Sequence, residues 1–201
     1  MCGIVGIYLK TKKFEKNLGR MLSGMLNNME SRGPDSAGFA IYKNEGNKIY
    51  KFSLCINNLN FNIFKKELSK KIKKIKLNQI SDHVILKTEE KPKKVLEILN
   101  LNFPEVSIVG YGKSIEIFKQ VGNPKDVVKK FKLGDFSGTH GIGHTRMATE
   151  SAITTDGSHP YSTGEDECLV HNGSLSNHNN LRRELTKKGN IFNSENDTEV
   201  A

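Results

Sequence analysis

A cysteine stands directly behind the initiator methionine, in Met1-Cys2-Gly3-Ile4-Val5-Gly6. Aminopeptidases remove a leading methionine when the next residue is small, and cysteine is small. Excision leaves a thiol and a free α-amine on the same residue. A free thiol titrates at about 8.5 and attacks as its thiolate. An α-amine titrates at about 7.7–8.0, so near neutral pH it can take the thiol proton. Nucleophile and general base are then one residue, as with an N-terminal threonine and its own amine. Position alone leaves a second reading open, in which Cys2 opens a buried strand as a small hydrophobe.

Three further blocks carry candidate chemistry. Gly141-Ile142-Gly143-His144-Thr145-Arg146-Met147-Ala148-Thr149 reads as a strand ending in Thr-Arg. A planar guanidinium binds a carboxylate through two parallel hydrogen bonds, which suits an amino-acid substrate. An ordinary strand-end ion pair is the alternative. His171-Asn172-Gly173 contains the strongest short hairpin-turn dipeptide. It could equally form an oxyanion hole from the Asn172 side-chain amide and the Gly173 N–H. Ser31-Arg32-Gly33-Pro34-Asp35-Ser36-Ala37-Gly38 is a turn-forming block. Its arginine and aspartate lie between two apolar elements, as a fixed internal pair or as surface charges on a turn.

Metal and cofactor signals are poor. His144, His159, His171 and His178 are spaced 15, 12 and 7 apart, which fits no helical or finger pattern. Cys2, Cys55 and Cys168 are odd in number and have no CxxC spacing. That argues against a disulfide framework and for a reducing compartment. Gly110-Tyr111-Gly112 lacks the rest of a phosphate-binding loop. The expectation is no metal site and no cofactor of this chain's own.

The elements that must hold these residues read as follows. Cys2 to Tyr8 is a strand, and Phe14, Leu18, Met21, Leu22, Met25, Leu26 and Met29 have helical spacing up to Gly33-Pro34. Phe39 to Tyr42 is a short strand. From Lys43 to Leu133 strands are expected at 49–56 and 83–87, with helices at 62–75, 93–99 and 124–131. Runs 106–110 and 114–118 read as a hairpin around residues 110–113. Alternation of this kind suits a small β-α-β-β-α-β module. A strand at 167–171 and a helix at 177–188, capped by Gly189, complete the reading.

At 201 residues the chain fits one domain, or a domain with a smaller one. Hydrophobic content of 36% supports a core. No run of roughly 18 apolar residues is present, so no spanning helix is expected. The apolar run 4–9 is too short and lacks the basic flank of a signal peptide, which points to the cytoplasm. Net charge is +9. Residues 43–133 hold 20 lysines, no arginine and 9 acidic residues, so the excess is lysine in the middle. A solvated lysine coat is the default reading, ahead of a nucleic-acid patch.

Taken together, the blocks resemble the glutaminase domain of class II glutamine amidotransferases, the N-terminal-nucleophile family. The resemblance rests on Met-Cys-Gly-Ile-Val-Gly, Arg32 to Gly38, His144 to Thr149, His171-Asn172-Gly173 and Asp197-Thr198-Glu199, in that order. These cover residues 1–42 and about 138–201. The resemblance implies an α+β fold, a four-layer α/β/β/α sandwich. Residues 1–43 and 134–201 would form the glutaminase domain, incomplete at its C-terminus, with residues 44–133 as a lysine-rich α+β insert. It implies Cys2 as nucleophile, with Asn172 and Gly173 as the oxyanion hole. Arg146 with Thr149 would grip the α-carboxylate of L-glutamine, and Asp197 its α-ammonium. Arg32 would order the surroundings of the nucleophile.

Within the family, the wording of 147–151 and 164–176 looks most like the separate amidotransferase subunit of glutamate-synthase-like enzymes, including N-methylglutamate synthase. The resemblance then implies a partner synthase subunit, an FMN and iron–sulfur barrel, that consumes the ammonia. A different class of reading is a non-catalytic shell whose basic insert binds a partner protein or nucleic acid.

Overall fold

The computed structural model describes every residue except Met1, Asn47, Asn58 and Glu150. The expected removal of Met1 therefore lies outside the described residues. Strand β1 (Gly3–Tyr8) is followed by a 3-10 turn and helix α1 (Leu18–Asn28). Leu18, Leu22 and Leu26 recur every fourth residue and are fully buried on one face. Phe14 sits in the preceding 3-10 turn rather than on that stripe and is 42% exposed. Strand β2 (Ser36–Tyr42) starts three residues earlier than its apolar run suggests. It is a central strand, paired on both sides, and its ladder draws in Ser36-Ala37-Gly38.

Residues 50–112 form β3 (Tyr50–Cys55), α2 (Phe61–Lys71), β4 (Lys76–Ile80), β5 (His83–Thr88), α3 (Pro92–Asn102) and β6 (Ser107–Gly112). Their sheet order is β4-β5-β3-β6, all antiparallel. The order is the β-α-β-β-α-β suggested for the module, but β4 is not among the expected strands: α2 ends at Lys71, short of the expected residue 75, and Lys76–Ile80 pairs with β5 as an added strand. Phe64 and Leu68 of α2 and Val95 and Leu99 of α3 cover one face of that sheet, against Phe52, Leu54, Val84 and Leu86. The other face presents Lys51, Ser53 and Cys55.

Strand β7 (Ile115–Val121) departs from expectation. Instead of making a hairpin with β6, it pairs with β2, and β6 pairs with β3. The chain crosses between sheets at residues 113–114. The Asp166 carboxylate makes this possible by accepting from the N–H groups of Lys113, Ser114 and Ile115 at 2.7–3.0 Å. Those amides need no hairpin partner, so the crossing leaves none of them unsatisfied. Helix α4 (Pro124–Lys130) then packs on α1.

The first sheet has the order β1-β8-β2-β7, with β8 spanning His140–Arg146. Its core joins α1, α4 and an aromatic group in which Phe118 lies 5.4 Å from Phe39, 5.3 Å from Phe131 and 5.2 Å from Phe136. Residues 115–131, grouped by composition with the lysine-rich stretch, thus serve the first sheet and its core. The two sheets meet at β7, where the Ile117 N–H donates to Ser53 Oγ at 2.9 Å. Buried Lys51 ion-pairs with Glu116 at 3.0 Å and donates to the Lys43 carbonyl at 3.0 Å.

A two-stranded hairpin, β9 (Tyr161–Gly164) and β10 (Glu167–Leu169), leads to α5 (His178–Lys187) and α6 (Asp197–Val200). Strand β10 stops at Leu169, two residues short of the expected strand. His171-Asn172-Gly173 lies beyond it in irregular chain and joins no paired strands. The architecture is α+β, with antiparallel sheets. No helix among the described residues is long and apolar enough to cross a membrane.

Phe118→Ala removes the ring at the centre of the aromatic group. The loss of transfer free energy and the residual cavity should cost about 3–5 kcal/mol. Urea unfolding at neutral pH measures it, and a change below about 1 kcal/mol would contradict this account of the core.

Candidate active site

The register of β1 on β8 sets the site. Gly3 lies opposite Thr145 and Ile4 opposite His144, so Cys2 sits beside the last residues of β8. Its Sγ is 3.9 Å from the Met147 carbonyl. Side chains alternate along β8. Thr145 points toward α1 and donates to the Met29 carbonyl at 3.2 Å. His144 and Arg146, both buried, share the opposite face.

The turn at 32–35 closes the end of this strand. A Cβ on Gly33 would lie 2.4 Å from the Thr145 carbonyl carbon, so only glycine lets the turn cross β8. Asp35 then accepts from the Ala148 N–H at 2.7 Å, and its own N–H donates to the Arg146 carbonyl at 3.0 Å. The expected Arg32–Asp35 pair does not form. Arg32 is exposed on a 3-10 turn and its side chain has no hydrogen-bond or ion-pair partner among the described residues. The Ala148 backbone amide, not a guanidinium, bonds the Asp35 carboxylate.

A cleft of about 60 Å³ gathers Cys2, Arg146, Thr149, Gly173 and Asp197 with His159, His171 and Thr198. Asn172 comes from far along the chain: its Nδ2 donates to the Cys2 carbonyl at 3.1 Å. Arg146 donates to Ser151 Oγ at 2.5 Å and to the Ala152 carbonyl at 3.2 Å. Among the described residues no carboxylate lies within ion-pair distance of it. Asp197 accepts from the Leu175 N–H at 2.7 Å, which ties the 172–176 segment to the start of α6. One cleft therefore holds a thiol, a buried guanidinium and a carboxylate. A larger hollow of about 620 Å³ runs along α5, but none of the sequence-predicted residues lines it.

Sequence reasoning missed the polar layer beneath this cleft. The rings of His144 and His159 stack at 4.0 Å. His144 Nε2 lies 2.9 Å from the His171 carbonyl, and Thr198 Oγ1 lies 3.0 Å from His159 Nε2 and 3.1 Å from His171 Nδ1. Asn196 caps α6 by accepting from the Thr198 N–H and donates Nδ2 to the Gly157 carbonyl at 3.0 Å. Lys119 holds the same loop, donating Nζ to the carbonyls of Asp156 and Ser158 at 3.0 and 2.8 Å. Burial brings its ammonium down to about 8, against the pull of Asp156. The histidine residues were visible in the sequence, but their spacing has no period because three separate segments supply them.

Cys55, Asp82 and His83 offer ligand atoms within 4.8 Å of one another. Burial raises the Cys55 thiol and keeps it protonated, while Lys130 already pairs with Asp82 at 3.1 Å. The trio is an internal polar cluster, with His83 Nδ1 3.0 Å from Asp82.

The glutamine amidotransferase domain pattern matches residues 134–201. The glutamine amidotransferase-like protein GlxB of Rhizobium meliloti is 49% identical over 204 residues, covering 100% of this chain and 68% of that protein. The chain belongs to the glutamine amidotransferase family. A Methanothermobacter thermautotrophicus protein named provisionally as a glutamine amidotransferase is 30% identical, over 99% of this chain and 70% of its own length. The glutamine–fructose-6-phosphate aminotransferase of Methanococcus maripaludis is 44% identical over 88 residues, 43% of this chain and 15% of that protein.

The buried imidazoles of this amidotransferase-family chain give it an acid limit. Burial pushes His144 down to about 4 and His159 to about 2, from an ordinary 6.5. The unfolded chain therefore takes up these protons first as pH falls. Stability is full above about pH 6.5 and declines below it, to about pH 4 for His144 and about pH 2 for His159. Between pH 7 and 5 each imidazole should remove on the order of 2 kcal/mol. Urea midpoints across that range measure the effect. A flat profile, or an unchanged slope in His159→Gln, would contradict it.

Proposed function

We propose that this chain hydrolyses the side-chain amide of L-glutamine through a γ-glutamyl thioester on Cys2 and supplies ammonia to a partner synthase. The observation that carries the reading is the Asn172 amide, bonded to the Cys2 main chain beside a cleft that also holds Arg146 and Asp197. With Met1 removed, the Cys2 α-amine takes the thiol proton as sulfur attacks the amide carbon of glutamine. The carbonyl oxygen becomes an oxyanion. The Gly173 N–H and the second N–H of Asn172 Nδ2 are the donors for it, since an amide nitrogen carries two. The α-ammonium of Cys2 returns its proton to the departing nitrogen, and ammonia leaves as the carbonyl reforms on sulfur. Water then attacks the thioester, glutamate is released and the thiol is restored.

Arg146 is suited to the α-carboxylate of the substrate, with Thr149 at its side, because no carboxylate of the described chain pairs with it. Asp197 is suited to the α-ammonium. Opposite charges across one cleft match the zwitterionic end of an amino acid and orient its amide toward Cys2. Arg32 would order the nucleophile only by moving from its exposed position.

The same reading includes the N-terminal-nucleophile fold, a four-layer sandwich. Residues 1–43 and 134–201 are its glutaminase part and 44–133 the lysine-rich module, with β7 and α4 contributed to the first core. The acceptor of the ammonia is an FMN and iron–sulfur synthase subunit of the glutamate-synthase-like class, in the cytoplasm. That assignment rests on the wording around Met147 and Cys168.

Intact-mass measurement should show Met1 absent from the active protein. The electrophile diazo-oxo-norleucine should label Cys2, and Cys2→Ala should abolish both labelling and glutaminase turnover. Asn172→Ala should lower kcat about 100- to 1,000-fold, the loss typical of one oxyanion donor. Arg146→Met should raise KM for glutamine by at least about 10-fold. Turnover that survives in Cys2→Ala would end the proposal.

A further inference from the structure

Thr198 is 2% exposed and follows Asp197 in α6. Its hydroxyl has three neighbours: His159 Nε2 at 3.0 Å, His171 Nδ1 at 3.1 Å and Asp197 Oδ1 at 3.3 Å. A hydroxyl carries one proton and two acceptor lone pairs. Asp197 is a carboxylate and only accepts, so the Thr198 proton goes to its Oδ1. Thr198 then accepts from both imidazoles, which puts the His159 proton on Nε2 and the His171 proton on Nδ1. His159 Nδ1, buried and without a partner, is then a bare acceptor, which is less costly than an orphan N–H.

The other edge of His171 faces the turn. A Cβ added to Gly173 would lie 2.7 Å from His171 Nε2, so the unprotonated edge of the ring lies against this glycine. The His171 main chain is held as well, because its carbonyl lies 2.9 Å from His144 Nε2. A carbonyl only accepts, so His144 also carries its proton on Nε2. His144 Nδ1 is the nitrogen left without a partner, which agrees.

We propose that Thr198 is a positioning residue for the Asn172-Gly173 turn: its hydroxyl, donating to Asp197 and accepting from His159 and His171, fixes the His171 proton on Nδ1 and seats the bare Nε2 edge against Gly173. The inference rests on the glutaminase reading for what that turn does. Thr198 touches no reacting atom. It acts by setting where the Gly173 N–H points when an oxyanion forms. Burial keeps His159 neutral, so the ring carries a single proton, the one that Nε2 donates to Thr198.

The test compares Thr198→Val, which keeps the shape and loses the hydroxyl, with Thr198→Ser, which keeps the hydroxyl. In Thr198→Val, kcat should fall about 10-fold or more, with KM for glutamine within about threefold of wild type, the split expected for a transition-state effect. Affinity for glutamate γ-semialdehyde, whose thiohemiacetal with Cys2 presents an oxyanion to the turn, should fall in parallel. Thr198→Ser should restore both. Long-range proton–nitrogen correlation spectra of the wild-type imidazoles should show His159 protonated at Nε2 and His171 at Nδ1.

Wild-type kcat in a folded Thr198→Val, an equal loss in Thr198→Ser, or a wild-type His171 protonated at Nε2 would each overturn the proposal. An inactive wild type with an unreactive Cys2 would instead overturn the glutaminase reading. The His171 tautomer would still decide the role of Thr198.

Discussion

Antiparallel pairing of β1 with β8 is the constraint on which the site depends. It is a backbone interaction, with six residue pairs from Gly3 opposite Thr145 to Tyr8 opposite His140. A slip of one residue would turn every β1 side chain to the other face. Val5 is packed into the first core, so burial holds the register. Cys2 inherits its place from that register and needs few contacts of its own. The turn at Gly33 and Asp35 then closes the end of β8, so the strand that presents Arg146 is anchored on both flanks.

The cleft is built in two tiers. Charged and reactive groups line it, and beneath them lies a dry layer of neutral polar groups. His144, His159 and Thr198 are almost fully buried, so their hydrogen bonds are not exchanged with water. Low local polarizability strengthens such bonds and raises the cost of leaving any group unpaired. The layer therefore acts as a stiff base for segments that have little secondary structure of their own. Residues 171–176 join no strand, yet they are held at the His171 carbonyl, the Asn172 amide and the Leu175 N–H.

The second sheet contributes at a distance. Its inner face carries Lys51 and Ser53, and these meet β7 and the links around it through an ion pair and two hydrogen bonds. A buried ion pair adds little net stability, but its directionality favours one docking arrangement over others. Strand β7 then carries Lys119, which grips the loop holding His159. The lysine-rich stretch is thus connected to the site through one shared strand, while most of its lysines remain on its solvent side.

Much of this was legible from residue order. The apolar stripe of α1, the alternation behind β3, α2, β5, α3 and β6, the helix at 178–187 and the blocks around Cys2, Arg146, Asn172 and Asp197 all carry local signals: period, capping or motif. The chain's order could not say which strands would pair. Runs 107–112 and 115–121 have the spacing of a hairpin, and only Asp166, some fifty residues on, lets them part into separate sheets. Arg32 reads as internal and lies outside, and Asp35 takes the Ala148 N–H in place of a guanidinium. His159 and Thr198 have no motif that links them, since a hydrogen bond between distant segments leaves no period in the sequence. Local chemistry named the candidate site residues; long-range pairing and burial decided which of them meet, which stay neutral and what holds them in place.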